Sequence, residues 1–430
     1  MRGFNFFLVN AFLFFLSQEL ISDIMVINME GGIGPSKTYY LKNSLQECKE
    51  NKYKALIIKL NTPGGLLDAT REMTGIIMSS AVPVIVYVSP IGARAGSAGV
   101  FITMSGHVAA MAPGTNIGAA HPVGLGGDAD SSVMGQKVEN DAAAYARSIA
   151  DKRGRNLVWA ESAVRQSVSV TENEALNENI IDIIANNIND LVNQCNGKVV
   201  IVGDKEIKLD FRQEILIIRE MNWKERFLDV ISNPNIAYIL IMIGLYGLFF
   251  ELKSPGSIFP GAIGITSLLI AAYSLQMMPV NYIGLSFIIL GFLLFVLEIF
   301  VVSYGFLSIG GVVSLILGSI MLIDSPLDFM RVSMELIITF SVLSLAFAGL
   351  IIYLGIKAQK VNKSTGQYKI IGLEGIAKTD LGANYLGKVL VNGELWQAST
   401  DEEIKKGEQI IVEQINSMVL KVRKKIKSPI

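Results

Sequence analysis

Between Ile236 and Ile356 only seven side chains are Asp, Glu, Lys or Arg: Glu251, Lys253, Glu298, Asp324, Asp328, Arg331 and Glu335. Both flanks are rich in such residues, so an apolar block separates two soluble parts. Backbone groups inside a bilayer must be satisfied within the chain, which leaves helices as the structure for this block. Five runs are predicted to span: 236–250, 261–275, 282–302, 305–323 and 335–356. Several are short for a hydrocarbon core of about 30 Å, so one hairpin is a candidate for a re-entrant turn. Lys357, Lys360 and Lys363 follow the last run and place that end in the cytoplasm. Five spans then put residues 23–230 on the outer side. The N-terminus agrees: Met1-Arg2 precedes the apolar stretch Phe4–Leu16 and then "SQELISD". That pattern is a signal h-region or an uncleaved short anchor, and either sends the downstream chain across the membrane.

The block contains a weak repeat. Glu251 precedes Gly256-x4-Gly261, and Glu298 precedes Gly305-x4-Gly310. A duplicated helical hairpin whose glycines allow close packing explains this pattern. The alternative is an ion or proton path through the two glutamates.

From Asp23 to about Asp190, apolar runs alternate with helical patterns. "IMVINM" (24–29), "ALIIKL" (55–60), "VPVIVYV" (82–88) and "HVAAMAP" (107–113) show little polar alternation. Strands of a parallel sheet covered on both faces read in this way. Helical spacing separates them, so an α/β domain with right-handed crossovers is expected. A long helix over Lys137–Arg153 follows "GLGGDADSS" (124–132), which reads as a mobile loop. "KVVIVGDKEIKLD" (198–210) reads as a small hairpin, and Trp223 as an interfacial anchor. Beyond the spans, Tyr368–Val422 carries short β-type runs broken by glycine, which predicts a five-stranded OB-like barrel.

The chain's net charge of −1 offers no electrostatic footprint for nucleic acid, and acids and bases are balanced in the tail. Protein contact is therefore the expected role of the barrel. Cys48 and Cys195 stand far apart with no CxxC motif or Cys/His cluster, so no zinc site is expected.

Three features of the α/β part converge on chemistry. The first is "NTPGG", Asn61–Gly65, where a strand ends and a helix begins. Successive glycines there free backbone N–H groups to form an oxyanion hole, although such a turn also occurs for structural reasons alone. The second is Ser97 in "GARAGSAGVFIT", which reads as a helix cap or as a nucleophile. Gly96, Ala98 and Gly99 clear the approach to it, and the Ala98 N–H lies at the positive end of the predicted helix. Ala95 stands two residues before the serine, so this is not a GxSxG elbow. The third is a base. His107 reads as structural. His121 lies 24 residues after Ser97, and Lys137 stands at the predicted start of the long helix. The helix dipole, if burial adds to it, would lower the lysine's pKa toward the range a base needs; a solvated surface lysine is the alternative.

Together, "NTPGG", "GARAGSAG", "GTNIGAAHPVG" and residues 151–182 resemble the long form of the NfeD family, membrane-bound serine proteases of ClpP class. The resemblance covers nearly the whole chain. It implies a signal peptide or anchor at 1–22 and a ClpP/crotonase-like spiral α/β domain at 23–197. A linker or hairpin at 198–232, membrane helices at 233–357 and an all-β OB-fold domain at 366–426 would follow. It also implies a Ser–Lys dyad, Ser97 as nucleophile with Lys137 as base, and oxyanion donors at Gly64, Gly65 and Ala98. Lys152 lies too far along the helix to match. Soluble ClpP relatives use a Ser–His–Asp triad, and His121 stands near the spacing of their histidine, so it remains the alternative base. The implied substrates are hydrophobic segments of stomatin-like membrane proteins, cleaved at a bilayer by a homo-oligomer without cofactor, metal or nucleic acid. The implied location is the cell membrane, with the protease domain outside. Two other readings share features of the sequence: a non-catalytic scaffold for stomatin-like assemblies, and a crotonase-like acyl-CoA enzyme. The outward location and the lack of a paired-glutamate site disfavour the acyl-CoA reading.

Overall fold

The computed structural model describes residues 23–122, 133–212, 215–253, 256, 258–301, 303–325, 328–360 and 370–425. The signal-or-anchor segment 1–22, the predicted loop at 124–132 and Lys363 lie outside the described residues.

Strands β1 (Ile24–Glu30), β2 (Ala55–Asn61) and β3 (Val84–Val88) alternate with helices α1 (Pro35–Glu50) and α2 (Leu67–Met78). A short β4 (Arg94–Gly96) leads into α3 (Ala98–Ser105), then β5 (Val108–Met111) and β6 (Asn116–Gly118). Helices α4 (Val133–Lys152) and α5 (Leu157–Arg165) precede β7 (Ser169–Thr171), α6 (Glu172–Asn177), β8 (Ile183–Ile184) and α7 (Ile188–Cys195). The hairpin β9 (Val199–Val202) and β10 (Lys205–Lys208) and the strand β11 (Leu216–Arg219) follow.

The main sheet has the order β11-β1-β2-β3-β5-β8, and every pair in it is parallel. Alternation along each strand sends side chains to two separate cores. Met25, Ile27, Leu56, Ile58, Val84 and Val86 pack beneath α1 to α5. Ile24, Val26, Ala55, Ile57, Ile85 and Tyr87 pack instead against Leu191 of α7 and against Val200, Val202 and Phe211. Both faces being covered explains why these runs carry so little polar alternation. A second sheet, β4-β6-β7, holds the chain on either side of Ser97 and Gly118. This is the α/β spiral expected of the N-terminal domain.

After α8 (Trp223–Ile231) come α9 (Pro234–Lys253), α10 (Ile258–Leu275), α11 (Tyr282–Phe300), α12 (Phe306–Met321) and α13 (Met334–Lys360). Among the described residues, Pro234–Leu252 and Ile258–Leu275 are long and apolar enough to cross a membrane, and the apolar stretches Tyr282–Glu298, Phe306–Met321 and Met334–Leu350 are shorter. The sequence repeat falls on two helical hairpins, but the close approach is made by glycines other than Gly256 and Gly310, whose Cβ atoms would meet nothing nearer than 3.6 Å. A Cβ on Gly247 would lie 2.8 Å from Gly264 Cα, and one on Gly291 would lie 2.7 Å from the Gly311 carbonyl. Each glutamate caps the next helix: Glu251 accepts from the Gly261 N–H at 3.4 Å, and Glu298 from the Gly305 and Ser308 N–H groups at 3.0 Å. Both acids thus have a helix-capping role.

The chain forms two compact units, dividing between Ala348 and Gly349. In the second, β12 (Glu374–Ala377), β13 (Gly387–Val391), β14 (Glu394–Ser399), β15 (Gln409–Asn416) and β16 (Val419–Lys424) close a barrel in the order β12-β13-β14-β16-β15. Val389, Val391, Ile410, Val412 and Leu420 fill it.

Candidate active site

Ser97 sits at the head of α3 with φ 47° and ψ −106°. A positive φ is rare for a residue with a Cβ, and such strain persists only where surrounding structure enforces it. The enforcement is visible. The Ser97 N–H donates to the Gly118 carbonyl at 3.1 Å, and the Val100 N–H returns to the Ser97 carbonyl at 3.0 Å. Gly118 has φ 146° and its missing Cβ would lie 2.3 Å from the Val168 carbonyl, so β6 is pressed against its neighbour there. The expected cap hydrogen bond is absent: Ser97 makes no side-chain contact to the first turn of α3. Its hydroxyl has no hydrogen-bond partner among the described residues, which leaves it available for chemistry.

The Pro-Gly-Gly turn lies against this serine. A Cβ on Gly64 would stand 2.8 Å from Ser97 Cβ and 3.2 Å from its Oγ, and Gly64 has φ 130°. Thr62, which carries no signal of a role in the sequence, shapes the turn by accepting the Gly64 N–H at 3.0 Å. Gly64 therefore has its N–H already engaged. The N–H groups of Gly65 and Ala98 carry no hydrogen bond among the described residues. Gly65, Ser97 and Ala98 all line a cavity of about 740 Å³.

The two candidate bases are placed differently. Helix α4 is described from Val133, so Lys137 stands in its second turn rather than at its head as expected. The dipole contribution falls off within the first turn and is small there. Met134, Gly135 and Val138 line the cavity around it, and the Lys137 side chain is exposed. Ala120 and Pro122 line the cavity too, but His121 between them does not; its Nδ1 lies 2.9 Å from the Val164 carbonyl. The structure thus brings Ser97, Gly65 and Ala98 together and leaves both bases outside the cavity lining.

The description of an NfeD integral membrane domain matches residues 235–356, that of an NfeD1b N-terminal domain residues 23–207, and that of an NfeD-like C-terminal, partner-binding domain residues 368–424. The chain is 31% identical over 422 residues to the membrane-bound protease PH1510 of Pyrococcus horikoshii, covering 95% of each. The chain belongs to the NfeD family. It is also 28% identical to the membrane protein NfeD1b of Bacillus subtilis, over 73% of this chain and 72% of that one. Among solved structures, a lysine-to-alanine mutant of the 1510-N membrane-bound stomatin-specific protease, in complex with a substrate peptide, is 32% identical. It covers 49% of this chain and 97% of its own, with a TM-score of 0.46. NfeD membership makes this chain a membrane protein.

In this NfeD chain the serine-bearing helix is held from its far end. Arg155 is buried and donates to the carbonyls of Met104 at 3.1 Å, Gly106 at 3.2 Å and Ile180 at 3.0 Å. It also meets Asp182 at 2.9 Å. Arg153 donates to the Ser105 carbonyl at 2.8 Å. These contacts satisfy the C-terminal carbonyls of α3, a role that the sequence reading assigned to neither arginine. His107 is structural as expected: Val84 N–H donates to its Nδ1 at 3.1 Å. Burial, then the nearby Arg153 charge, push its pKa down to about 3, which leaves it neutral at physiological pH. Cys48 and Cys195 are unpaired and buried, and burial pushes both thiols up to about 12.

Proposed function

We propose that this chain is a membrane-bound serine endopeptidase that cleaves hydrophobic segments of stomatin-like membrane proteins. The observation that carries the reading is Ser97: a strained, unengaged hydroxyl on a cavity wall beside two unoccupied N–H donors. The kinship to a membrane-bound protease across 95% of both chains supports it. Lys137 is proposed as the base on the family resemblance and because Met134, Gly135 and Val138 around it line the cavity, with His121, whose Nδ1 lies 2.9 Å from the Val164 carbonyl, as the alternative. Catalytic hydrogen bonds often tighten only once substrate is bound, so the exposed lysine remains competent in a long, flexible side chain.

Lys137 takes the proton from Ser97 as Oγ attacks the peptide carbonyl. The Gly65 and Ala98 N–H groups receive the developing oxyanion. Collapse expels the amine, which takes the proton back from Lys137, and water hydrolyses the acyl-enzyme with Lys137 again as base. The chemistry is assigned to 23–197, with the hairpin, β11 and α8 of 198–232 packed onto that domain, membrane helices at 233–357 and the barrel at 366–426. Five spans put the protease domain outside and the barrel in the cytoplasm, where it holds a protein partner. Homo-oligomers would present the clefts side by side at the bilayer.

The test uses the full chain in lipid nanodiscs with a hydrophobic peptide. Ser97→Ala and Lys137→Ala are each expected to lower kcat by about 10³-fold or more, while His121→Ala keeps cleaving at the wild-type order of magnitude. Cleavage that survives Ser97→Ala rejects this site. A wild-type chain that binds a stomatin-like partner but never cleaves supports the scaffold reading instead.

A further inference from the structure

The cavity that holds Ser97 is not made by the α/β domain alone. Gln276, Met277, Met278, Pro279, Ser325 and Met330 also line it, and all six come from the membrane region. They lie in the connection after α10 and in the segment between α12 and α13, two stretches that the sequence marks only as loops between apolar runs.

These loops are built against each other and against the α/β domain. Val280 and Ile323 form an antiparallel bridge, the Asp324 N–H donates to the Pro279 carbonyl at 3.2 Å, and the Asn281 N–H to the Leu322 carbonyl at 2.9 Å. Met277 is fixed from behind, where its Sδ accepts from Ser232 Oγ at 3.2 Å at the end of α8. Ser274 Oγ donates to the Ile231 carbonyl, and Arg331 Nε to the Ser325 carbonyl. The Phe329 ring packs so closely on the segment after β1 that a Cβ on Gly32 would lie 2.7 Å from it. That glycine stands three residues before Pro35, which lines the same cavity.

We propose that these membrane-region loops are the far wall of the substrate cleft, with Met277, Met278 and Met330 forming an apolar specificity subsite for an extended apolar segment. The proposal rests on the protease reading above. The occupant is set by continuity: the methionines and the Ser97 hydroxyl border one cavity, so a chain bound for attack at Ser97 runs past them. Three thioether side chains suit apolar segments of varied sequence, because methionine is unbranched and adapts to different partners. Selection would therefore be for apolar character rather than for one side chain. It would also be exerted by the part of the chain that meets the bilayer, which places the cleft mouth where such segments emerge.

The experiment uses the full chain in nanodiscs, with two peptides that differ only in an apolar or a serine-rich stretch beside the cleaved bond. A small fluorophosphonate that labels Ser97 without needing the subsite serves as the second readout. Met278→Glu and Met330→Glu are expected to lower kcat/KM for the apolar peptide by about 10–100-fold, mainly through KM, with fluorophosphonate labelling kept within about twofold. Replacing one apolar residue of the peptide by lysine is expected to restore cleavage by the glutamate variants. Met278→Ala, which is gentler on folding, should shift preference toward bulkier apolar side chains. Unchanged peptide discrimination in all three variants overturns the subsite while normal labelling leaves the protease reading intact. Absence of both labelling and cleavage in the wild-type chain removes the protease reading, and the subsite with it.

Discussion

At Ser97 the cap and nucleophile roles separate on one fact: the residue occupies the N-cap position but gives its hydroxyl to nothing in the first turn. A serine kept only as a cap would satisfy a free N–H there and would have no need of a positive φ. The strain is held by glycines whose missing Cβ atoms define the space around it. Gly64 is the one that meets Ser97 itself, since a Cβ would be 2.8 Å from Ser97 Cβ and the φ of 130° already disfavours a side chain. Gly64→Ala is therefore expected to cost about 1–3 kcal/mol and to abolish labelling of Ser97 by a fluorophosphonate. Thermal unfolding and labelling measured on the same sample check this; a variant that keeps both would show that the turn has room the structure denies. The sequence singled out Gly64 and Gly65 as equal donors. Only the folded turn distinguishes them, because Thr62 takes one N–H and leaves the other.

Helix α3 is the element that presents the serine, and by itself it is a poor helix. It has eight residues, no side-chain cap and a glycine and β-branched residues within it. Burial and the Arg153 and Arg155 contacts at its C-terminal carbonyls hold it in place. Arg155→Met would leave three buried carbonyls unpaired and Asp182 without its cation, so a loss of about 3–5 kcal/mol is expected. Arg155→Lys keeps the charge but cannot span the same carbonyls, and should fall between. Denaturant unfolding orders the three chains, and a Met variant as stable as wild type would show the pin to be dispensable. Element types were legible in the sequence wherever a long apolar period existed, as in β1 to β3, α1 and α2. The start of α4 was not, since Lys137 carries no cap signal and the residues before Val133 have no apolar period.

Across the whole molecule, α8 couples the α/β domain to the membrane helices through buried charge. Glu225 is fully buried and receives both Arg219 terminal nitrogens, at 2.9 and 3.0 Å, and Asn43 at 2.8 Å. Asp229, one turn on, pairs with Lys37 at 3.0 Å and accepts from Ser36 at 3.2 Å. Burial alone would raise the Glu225 pKa, but the hydrogen bonds from Arg219, Asn43 and the Asn222 N–H outweigh it and hold the carboxyl below its ordinary value of 4.5. A depressed carboxyl pKa contributes stability that is fully present above the ordinary value and is lost as pH falls through the folded one. Docking of α8 is thus expected to hold at neutral pH and to weaken below about pH 4.5. Arg219→Met should weaken it by about 3–5 kcal/mol at neutral pH and remove that acid step, as hydrogen exchange of the α8 backbone amides would report across the pH range. The division into an α/β part, an apolar helical block and a small barrel was set by the sequence alone, because each has its own hydrophobic period and charge density. The candidate nucleophile and the glycine turn were legible for a similar reason: small residues clustered at a strand end have few other uses. What only the tertiary structure decided is which groups meet. The unoccupied donors, the buried arginines behind α3 and the methionines on the cleft wall are brought together by contacts across dozens to hundreds of residues, and no local pattern encodes them.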